Sequence, residues 1–274
     1  MISLQVQNRS FQLPQSLEIA ARRNIFSSII KTSDIPNPDY KIFQNHGSCS
    51  LFKESKKICQ SNKIHDILYT LEWNLVDDLI SHANTFLQIH AAALTFKKDA
   101  YLFVGDPGAG KTSLSILLSQ KGFNILSDEV GLLDLNNLEV YAFPRNFIIK
   151  NHLFHLITMP ENQEKFTIDS DTDEKERASF LPINYFNPEN NLAEAKLKKI
   201  FFLQKLKDIN FKINSLGQTG SFGRLLPQIF NIETFSQNRI INLIQTVSCF
   251  ELMVSKPLLF DEEKANNLRE EILR

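Results

Sequence analysis

Gly105-Asp-Pro-Gly-Ala-Gly-Lys-Thr112 decides how this chain is read. The stretch has the spacing G-x-x-x-x-G-K-[ST], a loop whose backbone amides cradle nucleotide phosphates. Its flanks have the matching character. Residues 100–104 are a short apolar run of strand formers, and Leu114, Leu117 and Leu118 recur at helical spacing behind Lys111. Strand, glycine turn and helix in that order leave the first amides of the helix unpaired and facing an anion. Glycine makes up only 9 of 274 residues, and Gly105, Gly108 and Gly110 are three of those nine. A glycine-poor chain has concentrated its tolerance of positive φ at one turn. In this reading Lys111 reaches the β- and γ-phosphates and the Thr112 hydroxyl holds Mg²⁺. Asp106, Pro107, Ala109 and Ser113 complete the nucleotide-binding set. A plain strand-to-helix turn would explain the glycines but not the Lys-Thr pair.

Working outward, Gly122 is placed to stop the helix. Residues 123–126 then form a short strand that ends in Ser127-Asp128-Glu129. Open α/β sheets place ligand chemistry at the carboxyl ends of strands. Mg²⁺ takes one or two carboxylates beside phosphate oxygens, so Asp128 or Glu129, or both, would hold it with Thr112, directly or through water. One acid of the pair is also placed to take the proton of an attacking hydroxyl. Upstream, residues 87–94 read as a strand whose only titratable group is His90; taken alone, such a histidine is more readily structural than active. Residues 130–135 and 138–143 read as a hairpin about Asn136-Asn137. Pro144-Arg145-Asn146 leaves that sheet, and Arg145 and Lys150 are either cations for phosphate or substrate, or exposed charges.

Residues 1–85 read as a small β-rich leader with a linking helix, and 86–274 as the main domain. Residues 2–6 alternate as a half-buried strand does, residues 17–30 are ambiguous, and the prolines of 34–39 mark a linker. Residues 40–43 and 50–52 pair around Asn45-His46-Gly47. Apolar residues from Ile67 to Ile80 give an amphipathic helix over 66–85, with Trp73 near its middle. The acidic run 159–178 reads as a mobile excursion, because it lacks the glycine and fixed spacing of a calcium loop. Gly217, Gly220 and Gly223 suggest a second flexible loop with Arg224 near the nucleotide; no βαβ unit follows, which excludes a dinucleotide fingerprint. Residues 199–204, 209–213 and 249–255 read as strands, 224–247 as two helices broken near Asn231, and 261–274 as a charged helix started by Asp261.

Net charge is −1, which gives no electrostatic case for nucleic acid or an anionic membrane. No apolar run approaches the roughly 18 residues of a membrane span, and the N-terminus lacks a signal-peptide pattern. Cys49, Cys59 and Cys249 are sparse and without CxxC spacing, which suggests a reducing cytoplasm and no zinc site. The 22 phenylalanines are scattered, as core filling is.

Three runs together, His90-Ala-Ala-Ala93, Gly105 to Thr112 and Leu126-Ser-Asp-Glu-Val130, resemble the core of the HPr serine kinase/phosphorylase family. The style is that of the HPr-kinase-related proteins of peptide-modification gene clusters. The resemblance covers residues 86–150 well and 196–255 only in element order; the leader lies outside it. It implies an α/β fold of the phosphoenolpyruvate-carboxykinase type, with a mixed central sheet, preceded here by a small mostly β part. It also implies Lys111 and Thr112 on phosphate and Mg²⁺, Asp128 as the base, Glu129 as the second acid, and His90 as the family histidine. Arg145 resembles the Pro-Arg turn of related kinases. Glu129 stands where the family has Asp. The long signature segment of dephosphorylating members has no clear copy, so phosphorylase activity and HPr itself as substrate are not expected.

The expectation is therefore an ATP- and Mg²⁺-dependent cytoplasmic kinase. Its acceptor is a hydroxyl of a peptide or protein serine or threonine, or of a small molecule; assembly of identical copies is left open. The competing readings are a nucleotide-binding scaffold that gates a partner, and plain ATP hydrolysis.

Overall fold

The computed structural model describes residues 1–6, 9–24, 30–32, 36–143, 145–157, 166–168, 176–186, 193–206, 211–255 and 261–274. Most of the acidic run 159–178 and all of residues 25–29 and 207–210 lie outside them. The leader contributes β1 (Ile2–Val6), β2 (Arg9–Leu13), α1 (Glu18–Asn24), β3 (Lys31–Thr32), β4 (Tyr40–Asn45), β5 (Ser48–Lys53), β6 (Lys56–Ser61) and α2 (Ile64–His82). Then come β7 (Leu87–Phe96), β8 (Asp99–Val104), α3 (Lys111–Ser119), β9 (Asn124–Ser127), β10 (Val130–Asp134) and β11 (Glu139–Tyr141). Next are β12 (Phe147–Lys150), β13 (Phe166–Ile168) and β14 (Glu176–Leu181). The chain ends with β15 (Glu194–Lys205), β16 (Phe211–Ser215), α4 (Gln218–Leu225), α5 (Gln237–Thr246), β17 (Ser248–Val254) and α6 (Glu262–Leu273). The protein is mixed α/β and divides into two compact units.

The first unit comprises residues 1–83 together with 144–151 and 160–182. Its six-stranded sheet has the order β3-β1-β2-β4-β5-β6, antiparallel except for β2 with β4. The β4–β5 turn is His46-Gly47, with φ of 44° and 80°, the sign that two-residue hairpin turns need. Along α2, Leu68, Leu71, Leu75 and Leu79 recur every three or four residues and are buried against β2, β5 and β6. Each such side chain contributes about 1.5–3 kcal/mol on burial. A separate three-stranded sheet runs β12-β14-β13.

The second unit is built on a mixed eight-stranded sheet, β11-β10-β7-β8-β15-β17-β16, with β9 also paired to β7. The β8, β15 and β17 strands are parallel, whereas β7 runs against β8. Alternation along β8 sends Leu102 and Val104 into the cluster with α4 and α5, and Tyr101 and Phe103 to the opposite face, where Tyr101 meets Phe123 and Lys199 of β15 reaches Ile272 O of α6. On that second face, Phe103, Phe201 and Phe250 stack across three adjacent strands at 5.3 Å spacings. Helices on both faces explain why these strands read as nearly continuous apolar runs.

One expectation is corrected. Residues 218–225 are helix, not a flexible loop. Ser221 and Leu225 lie one turn apart and are both buried, and Ser221 N donates to Gly217 O at 2.9 Å. Gly220 and Gly223 lie on the exposed side. Packing of that one face overrides the roughly 1 kcal/mol that each interior glycine costs a helix.

Candidate active site

At the end of β8 the chain turns sharply, and the first glycine is sterically required. A Cβ on Gly105 would come within 3.0 Å of Ala109 Cβ and 3.2 Å of Leu203 Cβ on β15. Gly108 and Gly110 adopt φ of 76° and 104°, where a side chain is strained. Ala109 N donates to Asp106 O at 3.0 Å, and Leu114 N to Gly110 O at 2.9 Å, which closes the turn and opens α3. The earliest amides of α3 have no carbonyl behind them, and the positive end of the helix dipole adds to their pull on an anion. The alkyl stem and ammonium of Lys111 are buried, and Nζ donates to Gly105 O at 2.6 Å and Asp106 O at 3.2 Å. Burial holds its pKa below the ordinary lysine value, opposed by the charges of Asp128, Glu129 and Asp106. The end of β15 adds a further cation: a Cβ on Gly108 would lie 4.0 Å from Lys205 Nζ.

The acid pair occupies an interruption in pairing along β7. The β9 strand pairs with residues 93–95 and β10 with residues 87–90, so Asp128 and Glu129 fall between the two ladders. Ser127 Oγ accepts from Val130 N at 3.1 Å, and Ala91 N donates to Glu129 O at 3.1 Å, which fixes the step. Thr112 Oγ1 donates to Asp128 Oδ2 at 2.7 Å. Asp128 Oδ1 and Ser115 Oγ are both buried without a hydrogen bond of good geometry among the described residues, and the Ser115 hydroxyl lies near enough to act on the Asp128 carboxylate as a donor. Burial pushes the Asp128 pKa up to about 6; hydrogen bonds from Thr112 and Ser115 and the charge of Lys111 oppose the rise, and the charge of Glu129 adds to it. The carboxylate is met by hydroxyl donors and, among the described residues, by no cation in direct contact, which leaves it able to accept a cation or a further donor.

His90 lies on the same stretch of β7, opposite Val130. Its Nδ1 meets Gln228 Oε1 at 3.0 Å, and Gln228 Nε2 donates to Asp106 Oδ1 at 2.7 Å. Burial lowers the His90 pKa, as does the charge of Lys111; Gln228, Glu129 and Asp106 act in the other direction. Gln228 is held in place by its neighbours. Residues 87–90 of β7 have β10 on one side only, and the other side takes a bridge from Ile89 to Ile229. Phe230 N donates to Gln88 O at 2.9 Å, and the buried Asn231 side chain accepts from Gln88 N at 3.0 Å and donates to Phe86 O at 2.9 Å.

The structure thus brings together the loop from Gly105 to Ser113, the acids Asp128 and Glu129, and His90. Arg145 is engaged inside the first unit, where Nε and Nη2 donate to Glu72 Oε1 and Oε2 at 2.6 and 2.9 Å. Its guanidinium also stacks 4.5 Å from the centre of the Trp73 ring. Lys150 ends β12 in the same unit. Arg224 donates to Glu251 Oε1 at 2.5 Å. Sequence reasoning missed Gln228, Asn231 and Lys205. The interruption of the helical pattern near Asn231 was the one local signal for the clamp; nothing local marks Gln228 or Lys205.

Among the described residues no group of three or more His, Cys, Asp or Glu side chains is gathered for a metal, and no helix is long and apolar enough to cross a membrane. Thr112, Asp128 and Glu129 make a two-carboxylate set, which suits a hard cation that completes its shell with phosphate and water oxygens. No family model matches the chain, and no curated protein matches it. Among solved structures, the HPr(Ser) kinase/phosphatase from Coxiella burnetii is similar over 68% of this chain and 99% of its own, with 13% identity and a TM-score of 0.31.

Proposed function

We propose that this chain is a phosphotransferase that moves the γ-phosphoryl group of ATP, with Mg²⁺, to a hydroxyl. The acceptor is a serine or threonine of a peptide or protein, with a small-molecule hydroxyl as the other class. The observation that carries the reading is Asp128. It accepts from the loop threonine at 2.7 Å through Oδ2, it is buried beside Ser115 and Glu129, and burial raises its pKa to about 6. A general base works best with a pKa near the working pH, and ordinary exposed aspartate lies about two units lower.

Each residue then has a task that its position supports. The loop amides and Lys111 bind the phosphates, and Lys111 exchanges the Gly105 and Asp106 carbonyls for phosphate oxygens. Thr112 and Glu129 would hold Mg²⁺ with Asp128, and the cation supplies neutralisation of the phosphate charge. The Asp128 carboxylate takes the proton of the attacking hydroxyl as that oxygen bonds to the γ-phosphorus and the bond to the β,γ-bridging oxygen breaks, which releases ADP. Phosphoryl transfer depends mainly on positioning and charge stabilisation, which is the inventory here.

Incubation with γ-labelled ATP and Mg²⁺, with candidate peptides encoded beside the gene, tests the proposal. Label in an acceptor hydroxyl is the expected result. ATP bound tightly with neither transfer nor hydrolysis would mean a nucleotide-gated scaffold instead.

A further inference from the structure

Gln228 joins His90 to the loop, and the donors and acceptors along that link settle where the protons lie. Asp106 is exposed at the loop, and a carboxylate in water accepts but does not donate. Its contact with Gln228 at 2.7 Å therefore requires the amide NH₂ on that side. The amide oxygen is then the atom that faces His90 Nδ1 at 3.0 Å. An amide oxygen only accepts, so Nδ1 must carry the hydrogen. In the neutral ring, the state that its burial favours, Nε2 is left with its lone pair. The link holds its geometry because Ile229, Phe230 and Asn231 are fixed to the unpaired edge of β7 next to His90.

We propose that Gln228 is a positioning residue: it fixes His90 as the Nδ1–H tautomer, so that Nε2 accepts a hydrogen bond from a hydroxyl or water, and it ties that state to Asp106 of the loop. Naming the donor as the acceptor substrate's hydroxyl rests on the kinase reading; the tautomer and its dependence on Gln228 do not. An imidazole without such a partner favours the Nε2–H form, so the bias here is imposed from outside the ring. Loop and histidine are 16 positions apart in sequence, and Gln228 lies 138 positions beyond His90. The three meet only through the fold.

Long-range ¹H–¹⁵N correlation spectra of the ¹⁵N-labelled full chain read the tautomer directly, with His90 identified by the signal lost in His90→Gln. The wild type should show a protonated Nδ1 and an unprotonated Nε2. Gln228→Leu should lose that preference, whereas Gln228→Glu should keep it, because a carboxylate still accepts from Nδ1 but can no longer donate to Asp106. An Nε2–H ring in the wild type overturns the proposal whether or not any variant folds. An unchanged tautomer in a folded Gln228→Leu overturns it as well. Once an acceptor is in hand, Gln228→Leu should lower kcat more than it raises KM for ATP. Absence of transfer in every sample would count against the kinase reading alone, because the spectra decide the role of Gln228 without any acceptor.

Discussion

Two buried sets of charge in this protein are treated in opposite ways. In the first unit, Arg145 and Glu72 meet fork to fork, with side chains 5% and 0% exposed and two hydrogen bonds between them. In the second unit, Lys111 donates to loop carbonyls rather than to a carboxylate, and Asp128 accepts from the Thr112 hydroxyl. Arginine's planar fork saturates a carboxylate, whereas lysine is a point charge that is easily handed to another oxygen. A saturated pair holds structure. A set without such a fork leaves its atoms able to take other partners, which is what the proposed site needs.

The contrast makes different demands on substitution. The largest stability effect belongs to the saturated pair. Arg145→Ala or Glu72→Ala breaks this buried fork-to-fork pair and should cost about 3–5 kcal/mol. Urea unfolding followed by circular dichroism and by Trp73, the only tryptophan in the chain, checks this. A loss below about 1 kcal/mol would mean that the pair is not a structural device.

Asn231→Ala comes next. It strands two backbone groups of β7 and its approach that the side chain satisfies, at about 1–3 kcal/mol, and the Gln88 amide should exchange hydrogen faster. A pH effect follows in the first unit. Burial acts to raise the pKa of Asp78, but hydrogen bonds from Lys53 and Tyr40 and the charges of Lys53 and Arg9 outweigh it, so the folded value is lowered. A lowered carboxylate gives stability that is present above its unfolded pKa, about 3.9, and is lost as pH falls through the folded value. Urea midpoints should therefore fall on acidification below about pH 4, and Asp78→Asn should flatten that limb. Arg224→Ala should have the smallest effect, about 0–1 kcal/mol for a partly exposed ion pair. An unchanged KM for ATP would place Arg224 with Glu251 rather than with the nucleotide.

Much of the candidate site's arrangement was legible because its signals are local. The glycine turn, Lys111, Thr112 and the strand that ends in Asp128-Glu129 lie within 25 residues, and each announces itself by spacing and residue type. The hairpin about Asn136-Asn137, the Gly122 stop and the Asp261 cap were legible for the same reason. What escaped depends on sequence-distant partners. Gln228 finds His90 only because the open edge of β7 accepts Ile229 to Asn231. Arg145 read as a free cation because its partner lies 73 positions away. The glycines of 217–223 suggested a loop because propensity is counted residue by residue, while the buried face that makes the helix is a property of the packed unit.

The most direct test is Asp128→Asn, which keeps the side chain's shape and removes its ability to take a proton. Transfer of the γ-phosphoryl group should fall by about 10²–10⁴-fold, with ATP still bound by the loop and the free protein melting no lower than wild type. Full turnover by this variant with a working acceptor would contradict the account.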